Sequence, residues 1–350
     1  MIPLTTLHDL LSGRHRGIAA SLFRGAMSLW EPSVRWYVNR RNRAFDEGRT
    51  PIQRVPAKVI SVGNLTVGGT GKTPLVEWLA GWLLEQGEPP VLISRGYGAR
   101  KGRVNDEALE LALSLPSVPH LQNPDRVAAA REAIAKHPGS MLLLDDAFQH
   151  RRIHRDLDIV LLDALAPFGY EHVLPRGLLR EPVEGLKRAH VVILSRANLI
   201  DAAERETIQA RVMKLAPHAT WAEATHEPRK LINARGESLD AAQSLQGKRV
   251  AAFCGIGNPV GFRRTLERTG CEVVAWHEFA DHQCYGPQEI SRLAAMLQGQ
   301  PLDYLMCTRK DLVKIPHAEI GGAPLWAIAV ELRFTKGISE VETVLHTKLV

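Results

Sequence analysis

The chain has 350 residues, 45% of them hydrophobic and 23% charged, proportions of an ordinary folded protein with room for two domains. No apolar tract reaches the ~20 residues of a membrane-spanning helix, and the four cysteines (Cys254, Cys271, Cys284, Cys307) form no CxxC pair, which points to reduced thiols in a cytoplasmic compartment. Of the net charge of +6, +5 lies in the first 45 residues, where seven arginines face only Asp9 and Glu31; nucleic-acid binding, which calls for lysine and arginine spread over a folded face, is not indicated.

The first predicted element is a helix. Ile18, Leu22, Ala26 and Leu29 share one side of a helical wheel, flanked by Phe23 and Trp30, while Ser21, Arg24 and Ser28 lie opposite. Trp30, Trp36 and Tyr37 then alternate with Arg35, Arg40, Arg41 and Arg43. An apolar face with aromatic and arginine flanks is the pattern of a helix lying in a membrane interface. A surface helix packed on the body is the alternative. Arg24 interrupts the apolar stretch and no A-x-A-like site follows, so a cleaved signal peptide is not indicated. Residues 1–45 are therefore expected to form a basic amphipathic segment that associates with a membrane.

A core domain is expected over 46–219. Lys58–Val62 alternates and is β-branched, as a short strand does. Thr73–Glu85 reads as a helix with Pro74 near its start, where a missing N–H is harmless. Between them stands GNLTVGGTGKT, and strand, glycine-rich turn and helix in that order form a phosphate cradle. Gly68, Gly69, Thr70 and Gly71 would wrap a nucleotide, Lys72 would reach its β- and γ-phosphates, and the Thr73 hydroxyl would ligate Mg²⁺. The usual GxxxxGK[ST] spacing asks for glycine at position 66, where this chain has threonine.

Met141–Leu144 is a buried-strand run that ends in Asp145 and Asp146, the carboxylates expected on the metal side of such a cradle. A solvated strand end is the plain alternative. Val91–Ser94, Ile159–Leu162 and Val191–Leu194 repeat the strand rhythm between helical stretches, which predicts a doubly wound parallel sheet. Arg95 follows the first of these and would point into the crevice, either at phosphate or into an ion pair.

Residues 220–247 are polar and turn-rich and read as a connector with a possible hairpin at INARGES. Residues 248–350 read as a smaller α/β domain closing the cleft: RVAAFC starts a strand, FRRTLERTG is helical, and CEVVAW and LDYLMC are further strands. GIGNP lacks the third glycine of a dinucleotide fingerprint. His277, Asp281, His282 and Cys284 cluster in sequence, and packed or cleft-lining roles fit them better than a metal site. Lys310 and Asp311 are adjacent, so the separated Lys–Asp pair that reads guanine in GTPases is absent.

GNLTVGGTGKTP, SRGYG, the NDE triplet, LLLDDAFQH, PRGLLREP, FCGIGNP, FADH and TRKD, taken together and in order, resemble the tetraacyldisaccharide 4′-kinase family. The resemblance runs over nearly the whole chain. It implies a P-loop NTPase-like fold and ATP- and Mg²⁺-dependent phosphorylation. The acceptor would be the 4′-hydroxyl of an acylated disaccharide 1-phosphate lipid, giving lipid IVA in lipid A biosynthesis. It implies a peripheral protein at the cytoplasmic face of the bacterial inner membrane, with no obligate protein partner evident. Carried over by position, Lys72 and Thr73 match the P-loop pair, Asp145 and Asp146 the metal-side acids, Asp106 the catalytic base and His282 its partner. Gln283 stands where members often have a second histidine, and Arg309 where TxKD often has glutamate. Two other readings fit the cradle alone: an NTPase whose hydrolysis moves a membrane partner, and a nucleotide-sensing scaffold without catalysis.

Overall fold

The computed structural model describes residues 10–13, 15, 17–96, 106–281, 283–299 and 301–350, without the side chains of 106 and 107. Helix α1 spans Ile18–Asp46. Then follow β1 (Val59–Asn64), α2 (Lys72–Glu85), β2 (Pro90–Ser94), α3 (Asp106–Ser114), β3 (His120–Gln122), α4 (Arg126–Lys136), β4 (Met141–Asp145), β5 (Leu157–Asp163), β6 (Val191–Ser195) and α5 (Ala202–Leu215). The second half brings β7 (Thr220–Ile232), β8 (Ser238–Asp240), α6 (Ala241–Leu245), β9 (Arg249–Cys254), α7 (Pro259–Glu267), β10 (Glu272–Glu278), α8 (Pro287–Met296), β11 (Tyr304–Thr308), α9 (Arg309–Leu312), β12 (Glu319–Ile320), β13 (Ala323–Lys336) and α10 (Ile338–Leu349).

The chain packs as two units that are not contiguous in sequence. The first holds Met1–Tyr97, Ser117–His226 and Leu332–Val350; the second holds Gly98–Pro116 and Glu227–Glu331. The sequence reading draws contiguous ranges, because no local pattern reports that the NDE segment groups with the second half or that the C-terminal helix returns to the first. The stretch 220–247, read as a connector, opens with a 13-residue strand, and β8 folds back on it antiparallel, Leu231 opposite Leu239.

The sheet of the first unit runs β7-β6-β5-β1-β4-β2-β3, and its neighbouring strands are parallel. Every residue of β1, β2, β4 and β6 is buried. That explains their continuous apolar runs: a parallel sheet covered on both faces has no polar side to alternate with. From β1 the chain moves outward to β2 and β3, returns through β4, then crosses to β5 on the other side of β1. This reversal opens a crevice at the carboxyl ends of β1, β4 and β5, the usual ligand position of a doubly wound sheet. The Trp78 and Trp82 rings of α2 meet Phe334 and His346 edge-on, which fastens the cradle's helix to the returning C-terminal segment.

The second unit is a smaller parallel sheet in the order β10-β9-β11-β13, edged by the antiparallel β12. Its cores surround Phe253, Leu305 and Leu325 on one face and Phe262, Leu266 and Met306 on the other.

Helix α1 runs sixteen residues beyond Trp30, with Pro32 inside it. It buries Ala20, Glu31, Val38 and Phe45 against the first unit, while Ile18 (83% exposed), Leu22, Leu29 and Trp30 face outward. The carboxylate of Glu31 is the pin: His172 Nδ1 lies 2.7 Å from it and the Val173 amide donates to it at 3.1 Å.

Candidate active site

Strand β1 delivers the chain to the turn, and Gly71 ends it with φ +87° and ψ +30°, a left-handed conformation that glycine adopts without penalty. Space reinforces the choice, since a Cβ on Gly71 would overlap the imidazole of His226. Burial, with Arg196 nearby, pushes that imidazole down to about 3, so it packs as a neutral ring. Helix α2 starts at Lys72 with no side-chain cap on its first turn. Its leading amides and dipole are thus available to an anion.

Buried polar groups hold the turn. Asn64 Nδ2 donates to Thr70 Oγ1 at 3.1 Å, and Ser195 Oγ donates to the Thr70 carbonyl at 2.7 Å. Arg196 donates to the Gly69 carbonyl at 2.8 Å and pairs with Asp163. The first half of the turn is covered from another direction. Thr66 bridges Leu179 antiparallel, the Val67 amide donates to the Leu178 carbonyl, and the Arg180 amide donates to the Leu65 carbonyl. Pairing with 178–180 fixes the backbone where the usual pattern would have glycine at 66.

That pairing brings a charged cluster to the crevice. Asp146, just past β4, sits at φ +52°, a left-handed position that aspartate tolerates better than most residues. Arg180 grips its carboxylate with Nη1 at 2.7 and 2.8 Å, and Lys72 Nζ lies 3.4 Å away. Burial alone would raise the Asp146 pKa, but Lys72 and Arg180 outweigh it and hold the carboxyl below its usual value. Asp145 is buried beside it, in register with Val62 of β1. Lys72 Nζ also reaches 3.5 Å from Asn64 Oδ1. Arg126 opens α4 almost fully buried; its guanidinium is pushed below its usual value by burial first, with Asp146 opposing and Arg95 adding to the depression. Arg95 itself is exposed just beyond β2.

A second layer supports the first. Glu181 is wholly buried and accepts from Asn42 of α1 (2.9 Å), Gln149 (3.1 Å) and Arg188 (2.8 Å to each oxygen). Gln149 also donates to the Asn64 carbonyl at 2.8 Å. Glycines at the turn, an uncapped helix start, a lysine, a hydroxyl at Thr73 and two adjacent carboxylates make a donor set that fits a nucleoside triphosphate with its divalent cation.

Lys72, Thr73, Asp145, Asp146 and Arg95 thus all belong to the first unit, around one crevice. Asp106 and the residues flanking His282 belong to the second. Of Asp106 only the backbone, at the first residue of α3, is described; His282 lies outside the described residues. Sequence patterns alone assign no role to Arg180, Glu181, Arg126, Ser195, Arg196, Gln149 or His226. Their sequence signals are weak: Arg126, Gln149, Ser195 and Arg196 stand at or shortly after a strand's carboxyl end, Gln149, Arg180 and Glu181 fall within the quoted motifs LLLDDAFQH and PRGLLREP, and His226 lies inside β7.

Fold and site together define a P-loop nucleotide-binding protein with a second α/β unit. The family model described as "Tetraacyldisaccharide-1-P 4'-kinase" matches residues 29–349, and the chain belongs to that family. The tetraacyldisaccharide 4′-kinase of Anaeromyxobacter dehalogenans is 35% identical over 96% of this chain and 90% of its own length. That of Halothermothrix orenii is 34% identical over 90% and 88%. The crystal structure of the Aquifex aeolicus family member in complex with ATP superposes with a TM-score of 0.74 at 26% identity, covering 94% of this chain and all of that one.

Proposed function

We propose that this chain transfers the γ-phosphoryl group of ATP to the 4′-hydroxyl of a tetraacylated disaccharide 1-phosphate. The observation that carries the reading is the meeting of Lys72, Asp146 and Arg180 beside an uncapped helix start, in a chain of this family. Phosphoryl transfer spreads negative charge over the moving group, and most of its acceleration comes from positioned cations and dipoles. Lys72 is held at the cradle by Asp146 and Asn64. Gly68, Gly69, Thr70 and Gly71 wrap the phosphates, and Arg95 supplies further positive charge. A Mg²⁺ ion would be held through Thr73 and Asp145 or Asp146 and would supply charge neutralisation to the transferring group. Asp106 accepts the proton of the attacking hydroxyl, with His282 as its partner.

The acceptor carries acyl chains, so the enzyme must meet it at a bilayer. Among the described residues no helix is long and apolar enough to cross a membrane. Helix α1 offers a peripheral alternative, with Ile18, Leu22, Leu29, Trp30, Trp36 and Tyr37 exposed on a basic helix. Its buried acid, Glu31, is turned inward to His172 and so leaves the outer face positive. We assign this helix to the cytoplasmic face of the inner membrane.

The test is ATP turnover with and without acceptor. A small-molecule kinase consumes ATP only when the acylated disaccharide 1-phosphate is present. Acceptor-independent hydrolysis at the same rate would favour an NTPase that drives a membrane partner.

A further inference from the structure

The short helix α9 (RKDL), which begins inside TRKD with Thr308 as its cap, ties together three segments of the second unit. Arg309 is almost fully buried and reaches α3: its Nε lies 3.4 Å from Glu110 Oε1, and its Nη1 donates to Ser114 Oγ at 2.5 Å. The next residue, Lys310, pairs with Asp281 at 3.2 Å, the neighbour of His282 in sequence. Asp311, with no exposed surface, accepts from the Gly255 amide (3.1 Å), the Tyr285 hydroxyl (2.8 Å) and Thr308 Oγ1 (2.6 Å). Lys314 adds a bond to the Gln283 carbonyl at 3.2 Å.

We infer that the TRKD turn is a positioning joint, in which Arg309 sets the helix that begins with Asp106. The inference rests on the assignment of Asp106 as base. A buried arginine that bonds both Glu110 and Ser114 fixes α3 along its axis and in rotation. Apolar contacts through Ala108 and Leu111, both buried, would hold the helix in place but tolerate sliding. Reactions that depend on a near-attack geometry lose about 10²-fold for misplacements near 1 Å, so a small shift of α3 would be felt at its first residue.

Removing Arg309 alone takes the guanidinium from a partly buried carboxylate and threatens the fold, whereas replacing both partners of such a pair with apolar residues is often neutral. The decisive variant is therefore Arg309→Met with Glu110→Leu, assayed with ATP and tetraacyldisaccharide 1-phosphate beside the wild-type enzyme. The expected result is a kcat loss of about 10–100-fold at unchanged KM for ATP and near-wild-type thermal stability. The same pair of substitutions made in Asp106→Asn should cost nothing further, since residues that act through one another are not additive. Arg309→Lys keeps the charge toward Glu110 but loses the guanidinium's fork; it should fold normally and show a smaller kcat loss, and it decides the matter if the double variant does not fold. A double variant with kcat within twofold of wild type overturns the inference, as does an undiminished Arg309→Lys. A loss that multiplies with Asp106→Asn overturns it too, by placing Arg309's effect elsewhere. Full turnover by Asp106→Asn alone overturns the base assignment itself, and the joint's role with it.

Discussion

The cradle and helix α1 break the usual partition of residues in opposite directions. The cradle buries polar groups: Asn64, Thr66, Thr70, Asp145, Glu181 and Ser195 are all nearly sealed from solvent. Helix α1 exposes apolar ones, with Leu29 and Ile18 more than four-fifths bare. Buried polar groups must be satisfied, and for Asn64, Thr70, Glu181 and Ser195 the partners are inside the molecule. Exposed leucine and tryptophan along one helix are left uncovered by the described residues, and an apolar face of this kind is the usual mark of a contact surface. One region is therefore explained by its contacts and the other by the contacts it lacks. Asn42 connects them, sitting on α1 yet bonded to Glu181 behind the cradle.

The comparison breaks most visibly at Lys72. Lys72→Ala should lower kcat by at least about 10²–10³-fold, the scale of losing one positioned charge at a transferring group. Its melting temperature should fall by no more than the loss of one part-exposed ion pair, because Lys72 is the first residue of α2 and belongs to no core cluster. Steady-state kinetics beside thermal melting check both halves, and near-wild-type turnover in the folded variant would dismantle the cradle assignment.

Glycine substitutions sharpen the same side. Gly71→Ala meets the His226 ring and a left-handed backbone, so nucleotide binding should fall by an order of magnitude or more. Gly69→Ala has nothing within 4 Å and no positive φ, and should bind ATP within about threefold of wild type. Equal losses at both positions, by calorimetric titration with ATP, would mean that His226 is no constraint.

On the other side, Leu22→Glu with Leu29→Glu should weaken partition onto anionic vesicles by about 10²-fold, since burying one leucine is worth about 1.5–3 kcal/mol. The arginine contribution is screened by salt and the apolar one is not, so wild-type binding should weaken with salt but persist. ATP affinity should be unchanged in the variant. Equal sedimentation of both proteins would return α1 to the role of an ordinary packed helix.

The smallest effect concerns pH. Asp146 has its pKa lowered in the folded state, so its contribution to stability is present above the unfolded carboxylate value near ~3.9 and fades as pH falls through the lowered value. The stability difference between wild type and Asp146→Asn should therefore be constant from pH 7 to 5 and shrink in acid below 4. Denaturant midpoints across that range decide it, and a gap that widens in acid would contradict the ion pairs to Lys72 and Arg180.

The sequence makes some parts legible because their chemistry is local. Strand, glycine-rich turn, Lys72 and Thr73 follow one another along fifteen residues, and Asp145 and Asp146 sit at the end of an apolar run that only a buried strand explains. The amphipathic face of α1 is likewise a local periodicity. What stayed hidden is tertiary. Arg180 and Glu181 stand in a loop without periodic pattern and reach the cradle only because 178–180 pairs with 65–67. His226 is one histidine in a long strand until Gly71 is placed beside it. Arg309 reads as a departure from a motif, and its meaning comes from Glu110 and Ser114, nearly two hundred positions earlier.

The most direct measurement follows the phosphorus. The protein is incubated with γ-labelled ATP, Mg²⁺ and tetraacyldisaccharide 1-phosphate in phospholipid vesicles, and the labelled product is isolated and its phosphorylation site determined. The account predicts one new phosphate ester, on the 4′-oxygen of the disaccharide, formed in step with ADP. Label recovered only as inorganic phosphate, or on any other position of the acceptor, would contradict it.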